Sequence, residues 1–291
     1  MKVLCFDIGG TDIKYGIIEN EEFLLKDSMP TNYALGQESI SNRLIELTKE
    51  LMKQHTFDGV GISCAGCVDF DYGKVTSGPE SIKEFNNWDL AGLFMENCGL
   101  KVVADNDVNC FGVAEGTSGA AKKYSNYLTM TVGTGIGGAI VIHGEMWRGL
   151  NFKAAEFGRM LLEGGRYEGL ASVTALIRMA RVKGLKVGNG LDVFNLYDQK
   201  NPDAIEVVTN FYHNLAVGIA NLIYVFNPEA IIIGGGISNR KTFSTELKRE
   251  LKKIMVPSFY ETVKVFNAQY GNDGGMLGAY YNFVSVNRNG N

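Results

Sequence analysis

Asp7 closes the apolar run Val3-Leu4-Cys5-Phe6, and Gly9-Gly10-Thr11 follow before Ile13, Tyr15 and Ile17 alternate onward. A carboxylate and a turn without bulky side chains therefore stand at the junction of two strands. Glycines let main-chain N–H groups approach an anion closely, Thr11 adds a hydroxyl, and Asp7 is suited to hold Mg²⁺ through its water shell. The pattern predicts a phosphate-binding turn. Tyr127 to Ile142 repeats it, with an apolar strand, the turn Gly133-Thr134-Gly135, Ile136-Gly137-Gly138 and a second apolar strand. A third glycine turn, Gly234-Gly235-Gly236, follows the strand Ala230-Ile231-Ile232-Ile233 and leads into a helix patterned by Phe243, Leu247 and Leu251. Strand, glycine turn, helix is an arrangement that can sit against a nucleotide.

Other phosphate-binding designs fit less well. A Walker P-loop needs GxxxxGK[ST], which the chain lacks. Gly133 to Gly138 does satisfy GxGxxG, but a dinucleotide site needs a helix directly after the glycines. Here the β-branched run Ala139-Ile140-Val141-Ile142 reads as a strand returning in a hairpin. A further acidic group, Asp105-Asn106-Asp107, ends the strand Val102-Val103-Ala104 and precedes a helical segment, Val108 to Glu115. Ligands of open α/β sheets gather at the carboxyl ends of strands, which places Asp107 where chemistry is expected. Asp and Asn at a helix start also serve as caps, and capping by one is compatible with catalysis by another.

The elements that must hold these groups are legible in outline. Ile40, Leu44, Leu47 and Leu51 recur at helical spacing, and Val60 and Ile62 mark a short strand. Asn151 to Gly169 is polar, glycine-rich and aperiodic, which fits an active-site loop. Val173, Leu176, Ile177 and Ala180 mark a helix, and Val208 to Phe226 a longer one stopped by Asn227-Pro228. The 291 residues are long for one core, so two lobes with a working cleft between them are expected. The boundary falls near residue 118, giving a smaller lobe over 1–118, with a helix at about 275–291 packing back on it, and a larger lobe over 119–274.

Composition narrows the function classes. With 28 basic and 32 acidic residues the net charge is −4, and basic residues cluster only in short pairs, so nucleic acid and anionic membranes are unexpected partners. The amino-terminal residues do not read as a signal peptide, no stretch reads as a membrane span, and a cytoplasmic location is expected. Five cysteines are scattered through apolar segments and read as reduced thiols; Cys64-Ala65-Gly66-Cys67 has metal-ligand spacing but no second pair.

Taken in order, Asp7-Ile8-Gly9-Gly10-Thr11, Asn106-Asp107, Gly133-Thr134-Gly135-Ile136-Gly137-Gly138 and Ile233-Gly234-Gly235-Gly236 resemble the ROK family of bacterial sugar kinases and sugar-responsive repressors. The likeness runs over essentially the whole chain and is greatest to shorter members such as β-glucoside kinases, certain glucokinases and N-acetylmannosamine kinases. It implies an α/β, actin-like ATPase (ribonuclease H-like, duplicated) fold, ATP and Mg²⁺ as cofactors, and a homodimer. It implies γ-phosphoryl transfer to the 6-hydroxyl of a hexose or hexoside of the glucose or β-glucoside type, with N-acetylmannosamine as the alternative substrate. A sugar-sensing regulator is disfavoured, because the first motif begins at residue 7 without room for a helix-turn-helix.

The resemblance also assigns roles. Asp107 is the catalytic base, and Asn106 orients the sugar ring, with Gly66, Glu156, Arg159 and Glu168 as further sugar contacts. Asp7, Gly9, Gly10, Thr11 and Lys14, together with Gly133, Thr134, Gly135 and Gly137, hold the phosphates and metal; Gly235 and Gly236 line the adenosine pocket. The family's common form carries a histidine and a cysteine run that bind a structural zinc. Here Arg159 stands at the histidine position and residues 161–167 contain no cysteine, so no zinc is expected. Packing and hydrogen bonds must hold that loop, with Arg159 paired to Glu156 or Glu168 and reaching toward the substituent on sugar carbon 1 or 2.

Overall fold

The computed structural model describes residues 1–78 and 85–288. Its elements run β1 (Lys2–Ile8), β2 (Asp12–Glu19), β3 (Glu22–Pro30), α1 (Gly36–Met52), β4 (Gly59–Cys64), β5 (Cys67–Asp69), β6 (Lys74–Ser77), β7 (Trp88–Asp89), α2 (Leu90–Cys98), β8 (Val102–Asn106) and α3 (Asp107–Thr117). There follow β9 (Tyr127–Val132), β10 (Ile136–Ile142), β11 (Glu145–Met146), β12 (Leu161–Leu162), β13 (Gly165–Arg166), α4 (Tyr167–Ala171), α5 (Val173–Val182), α6 (Gly190–Asp198) and α7 (Pro202–Phe226). The chain ends with β14 (Ala230–Gly234), α8 (Phe243–Ile254), α9 (Pro257–Tyr260), β15 (Lys264–Asn267) and α10 (Gly274–Arg288). Two compact units emerge. Unit 1 holds Met1–Thr117, Arg148–Lys153 and Asn272–Asn291, and unit 2 holds Ser118–Trp147 and Ala154–Gly271.

Unit 1 is built on a five-stranded sheet of order β3-β2-β1-β4-β8. The β1/β2 hairpin is antiparallel, with Asp7 opposite Lys14 and Ile8 opposite Ile13, whereas β4 and β8 run parallel to β1. Every residue of β4 is buried, because the sheet is covered on both faces. Leu4, Phe6, Ile40, Leu44, Val60, Ile62 and Phe94 form one apolar layer, and α10 packs on the other face against β1, β4 and α3.

Unit 2 repeats the plan with order β11-β10-β9-β14-β15. Its hairpin β9/β10 is antiparallel, with Val132 opposite Ile136, and β14 and β15 are parallel to β9. Helices α5, α7 and α8 supply Leu176, Phe211, Leu215, Ile219, Leu247 and Leu251 to its core, together with Met130, Ile231 and Ile233 from the strands. Asn201 caps α7, with Pro202 at the first helical position, and Asn227 in a left-handed conformation ends it before Pro228. The stop matches the sequence reading; the start lies earlier, because cap and proline override a stretch with weak apolar periodicity.

The aperiodic segment 151–169 is more ordered than its composition suggests. It contains the short β12/β13 hairpin and ends in α4, with Phe157 and Tyr167 fully packed in the unit 2 core. Short turns of this kind carry no hydrophobic period, so a pattern search reads them as loop.

Candidate functional site

In unit 1, β1 delivers Asp7 at its end, and both carboxylate oxygens are engaged. Lys14 Nζ on β2 donates to Oδ2 at 2.9 Å and Ser63 Oγ on β4 donates to Oδ1 at 2.6 Å. Lys14 also reaches the Asn272 carbonyl at 3.3 Å. The first turn of α10 lies flush on this carboxylate: a Cβ on Gly275 would meet Asp7 Oδ1 at 2.6 Å. The adjoining turn is closed by Gly9 N–H donating to Asp12 O and by Thr31 Oγ donating to Gly9 O. Thr11 is exposed at its tip.

At the end of β8 the chain turns directly into α3. Asn106 Oδ1 accepts from the Val108 and Asn109 N–H groups at 2.9 and 3.1 Å, and so caps the helix. Its amide nitrogen donates to the Gly66 carbonyl and to Asp107 Oδ1, each at 2.9 Å. Asn106 thus ties the loop after β4 to the carboxylate at the head of α3. Gly66 is the residue that turn requires, with φ of +109° and the Ser77 carbonyl where a Cβ would stand. Desolvation, followed by the like charge of Asp7, pushes the Asp107 carboxyl up to about 7, against the lowering effect of its hydrogen bonds from Val108 and Asn106. A carboxylate poised there is strong enough to accept a proton and is half ionised near neutrality.

Asp105, fully buried beside this pair, went unassigned in the sequence. Arg148 donates to its Oδ2 through Nη2 at 2.6 Å and Nε at 3.1 Å, while Asn109 Nδ2 and the Asn106 N–H occupy Oδ1. The guanidinium of Arg148 stacks 3.7 Å over the Phe70 ring. No local spacing links residues 105 and 148, so the pair could not be read in advance.

Unit 2 presents bare backbone where unit 1 presents charge. Gly133 N–H donates to Gly135 O and Gly133 O accepts from Val173 N–H, which fixes the second turn on the start of α5. Thr134 is exposed at its tip, and Gly137 lies on β10 opposite Thr131. Glu168, at the start of α4, reaches this turn: its Oε2 is 2.8 Å from where a Cβ on Gly135 would stand and 3.0 Å from one on Gly158. Glu156 and Arg159 form an exposed pair at 2.9 Å on the same segment. In the third turn Gly235 has φ of +86° and lies against the Val132 carbonyl, whereas Gly236 has open space around it.

Among the described residues no group of three or more His, Cys, Asp and Glu side chains could hold a metal ion. The donors of unit 1 suit an ion that arrives already bound to phosphate and keeps its water shell, as Mg²⁺ does. Among the described residues no helix is long and apolar enough to cross a membrane.

Two sheets of one strand order, each opening on a glycine-turned hairpin, define an α/β protein of the duplicated actin-like ATPase fold. Residues 3–285 match the ROK family, and the chain belongs to it. It is 33% identical over 300 residues to a β-glucoside kinase of Klebsiella pneumoniae, covering 99% of this chain and 98% of that one. A structure from Listeria monocytogenes, provisionally described as an N-acetylmannosamine kinase, superposes with a TM-score of 0.89 at 32% identity, covering 99% of this chain and 100% of that one. A ROK glucokinase from Streptomyces griseus, solved with glucose and AMPPNP, gives a TM-score of 0.81 at 26% identity, covering 96% and 98% of the two chains.

Proposed function

We propose that the protein is an ATP-dependent sugar kinase that phosphorylates the 6-hydroxyl of a glucose-type hexose or β-glucoside. The observation that carries this reading is the Asn106-Asp107 pair at the end of β8, with the Asp107 carboxyl raised to about 7 and locked by Asn106 to the Gly66 loop. The family membership and the kinases among the relatives supply the class of reaction.

Asp107 accepts the hydroxyl proton as the sugar oxygen bonds to the γ-phosphorus; the bond from that phosphorus to the β-phosphate oxygen breaks and ADP leaves. Asn106, Gly66, Glu156, Arg159 and Glu168 bind and orient the sugar. The turns Gly9-Gly10-Thr11 and Gly133-Thr134-Gly135, with Gly137, meet the phosphates; the Gly9 and Gly133 N–H groups close the turns, so little reorganisation is needed. Gly235 and Gly236 line the adenosine side. Asp7 would face the water shell of a Mg²⁺ ion, which would supply charge balance for the phosphates, and Lys14 balances Asp7 at 2.9 Å in its absence.

A second reading, phosphorylation of N-acetylmannosamine, is favoured by the Listeria neighbour and by Arg159, a long multiple donor suited to a substituent on carbon 2. A coupled assay of ADP release over glucose, aryl β-glucosides, cellobiose and N-acetylmannosamine separates the two, with NMR locating the phosphate. Sugar-stimulated ADP release is expected; its absence across hexoses, glucosides and acetamidosugars overturns the reading.

A further inference from the structure

Tyr167 is among the largest side chains that unit 2 buries completely, and it directly precedes Glu168. Its hydroxyl donates to the Leu215 carbonyl of α7 at 2.7 Å. Its ring lies on the bare backbone of Gly218, one turn further along α7, where any Cβ would collide with the ring atoms. Tyr167 N–H donates to the Met160 carbonyl at 2.8 Å, closing the β12/β13 hairpin. Glu168 in turn is fixed through its carbonyl by Ser172 N–H, while its carboxylate lies beside Gly135 and Gly158. One aromatic side chain thus clamps the base of the segment that carries Glu156, Arg159 and Glu168, and a slot in a long rigid helix receives it.

We propose that Tyr167, seated on Gly218 and bonded to Leu215, is the positioning residue that fixes the sugar-binding segment and holds Glu168 at the junction of the sugar contacts and the second phosphate turn. The proposal rests on the sugar-kinase reading and deepens it. The physical reason is that Glu156 and Arg159 are exposed and their pair contributes little rigidity. The segment's geometry must come from what is buried, and its buried anchors are Phe157 and Tyr167. Of these only Tyr167 combines a hydrogen bond with a shape-matched seat. Burial holds the phenol neutral and therefore a donor.

The test is steady-state kinetics on the full chain, with melting temperature as a control. Tyr167→Phe keeps the ring and removes the bond, leaving the Leu215 carbonyl to the helix ladder. If the seated state is the binding-competent one, losing a bond of ordinary strength lowers its population and raises the sugar KM by up to about five-fold, with the ATP KM little changed. Gly218→Ala, which evicts the ring, is expected to raise the sugar KM further. In a Tyr167→Leu background the same Gly218→Ala change is expected to add almost nothing, since the clash is gone.

Folded Tyr167→Phe and Gly218→Ala variants with wild-type sugar KM overturn the proposal. So does a fall in melting temperature without a change in sugar KM, which marks ordinary core packing. Glu168→Gln separates this from failure of the functional reading: if it leaves sugar KM untouched, the sugar site itself is misassigned and the pin falls with it. If Glu168→Gln raises sugar KM and Tyr167→Phe does not, the pin alone is wrong.

Discussion

The two units share one skeleton and fill it with opposite chemistry. Asp7 and Lys14 face each other across the first hairpin; Thr131 and Gly137 occupy that level of the second. After β4 come Ala65 and Gly66, and Asn106 Nδ2 donates to the Gly66 carbonyl, whereas after β14 come the bare Gly235 and Gly236. The strand end that leads into Asn106-Asp107 in unit 1 leads into Asn267-Ala268 in unit 2. Duplication preserved the glycine turn, which is backbone geometry, and let the side chains diverge. On the proposed function, unit 1 adds proton transfer and charge balance to its own phosphate turn, and the glycine turns of unit 2 add phosphate and nucleotide contact through main chain. Burial raises the Asp107 pKa most, and the like charge of Asp7, on β1 one strand beyond β4, adds to it.

The sharpest way to break this contrast is Asp107→Asn. Loss of a positioned general base is expected to lower kcat on the order of 10²- to 10⁴-fold with sugar binding by calorimetry retained. Next comes the charge network behind it. Arg148→Ala strands Asp105, which is fully buried, and is expected to cost about 3–5 kcal/mol in denaturant titration. Restoring much of that loss with Asp105→Asn would show that the uncompensated charge is the cause.

Two glycine changes then probe unit 2. Gly235→Ala forces a side chain into left-handed backbone against the Val132 carbonyl, and is expected to destabilise by about 1–3 kcal/mol. Gly133→Ala meets nothing within 4 Å and should leave the melting temperature unchanged, yet raise the ATP KM if phosphate approaches that backbone. An unchanged ATP KM would remove the second turn from the nucleotide site. The smallest effect is expected for Arg159→Ala, whose exposed pair with Glu156 contributes under about 1 kcal/mol to stability. Its consequence should appear in sugar KM or substrate preference, and if neither moves, Arg159 is scaffolding only.

Much of the framework was readable before any coordinates. The two hairpins, the strand leading to Asn106-Asp107 and the helix after it follow from local alternation and glycine placement, and the structure forms each of them. Asp7 and Lys14 are paired by β-register, a local property of a hairpin. What stayed hidden was non-local or aperiodic. The bond from Arg148 to Asp105 spans 43 positions. Tyr167 finds its seat on Gly218 only because α4 packs on α7, and the glycine-rich composition of residues 151–169 masks a segment anchored in the core. Left-handed backbone at Asn151, Phe152 and Ala155, where side chains are usually unwelcome, likewise has no signal in residue type alone.

The pH dependence of kcat/KM for the preferred sugar, in wild type and in Asp107→Asn, bears most directly on the central assignment. Activity in wild type is expected to rise with pH through an acid limb near 7, the value to which burial and Asp7 push the Asp107 carboxyl. The same raised pKa implies that wild-type stability falls between the ordinary carboxylate range and about 7, so Asp107→Asn should be the more stable protein at pH 8 and lose that advantage below pH ~4. An acid limb near 7 in wild type that disappears, with most of the activity, in Asp107→Asn is the predicted result. A limb that persists in Asp107→Asn at near-normal rate would contradict the assignment of proton transfer to this carboxylate.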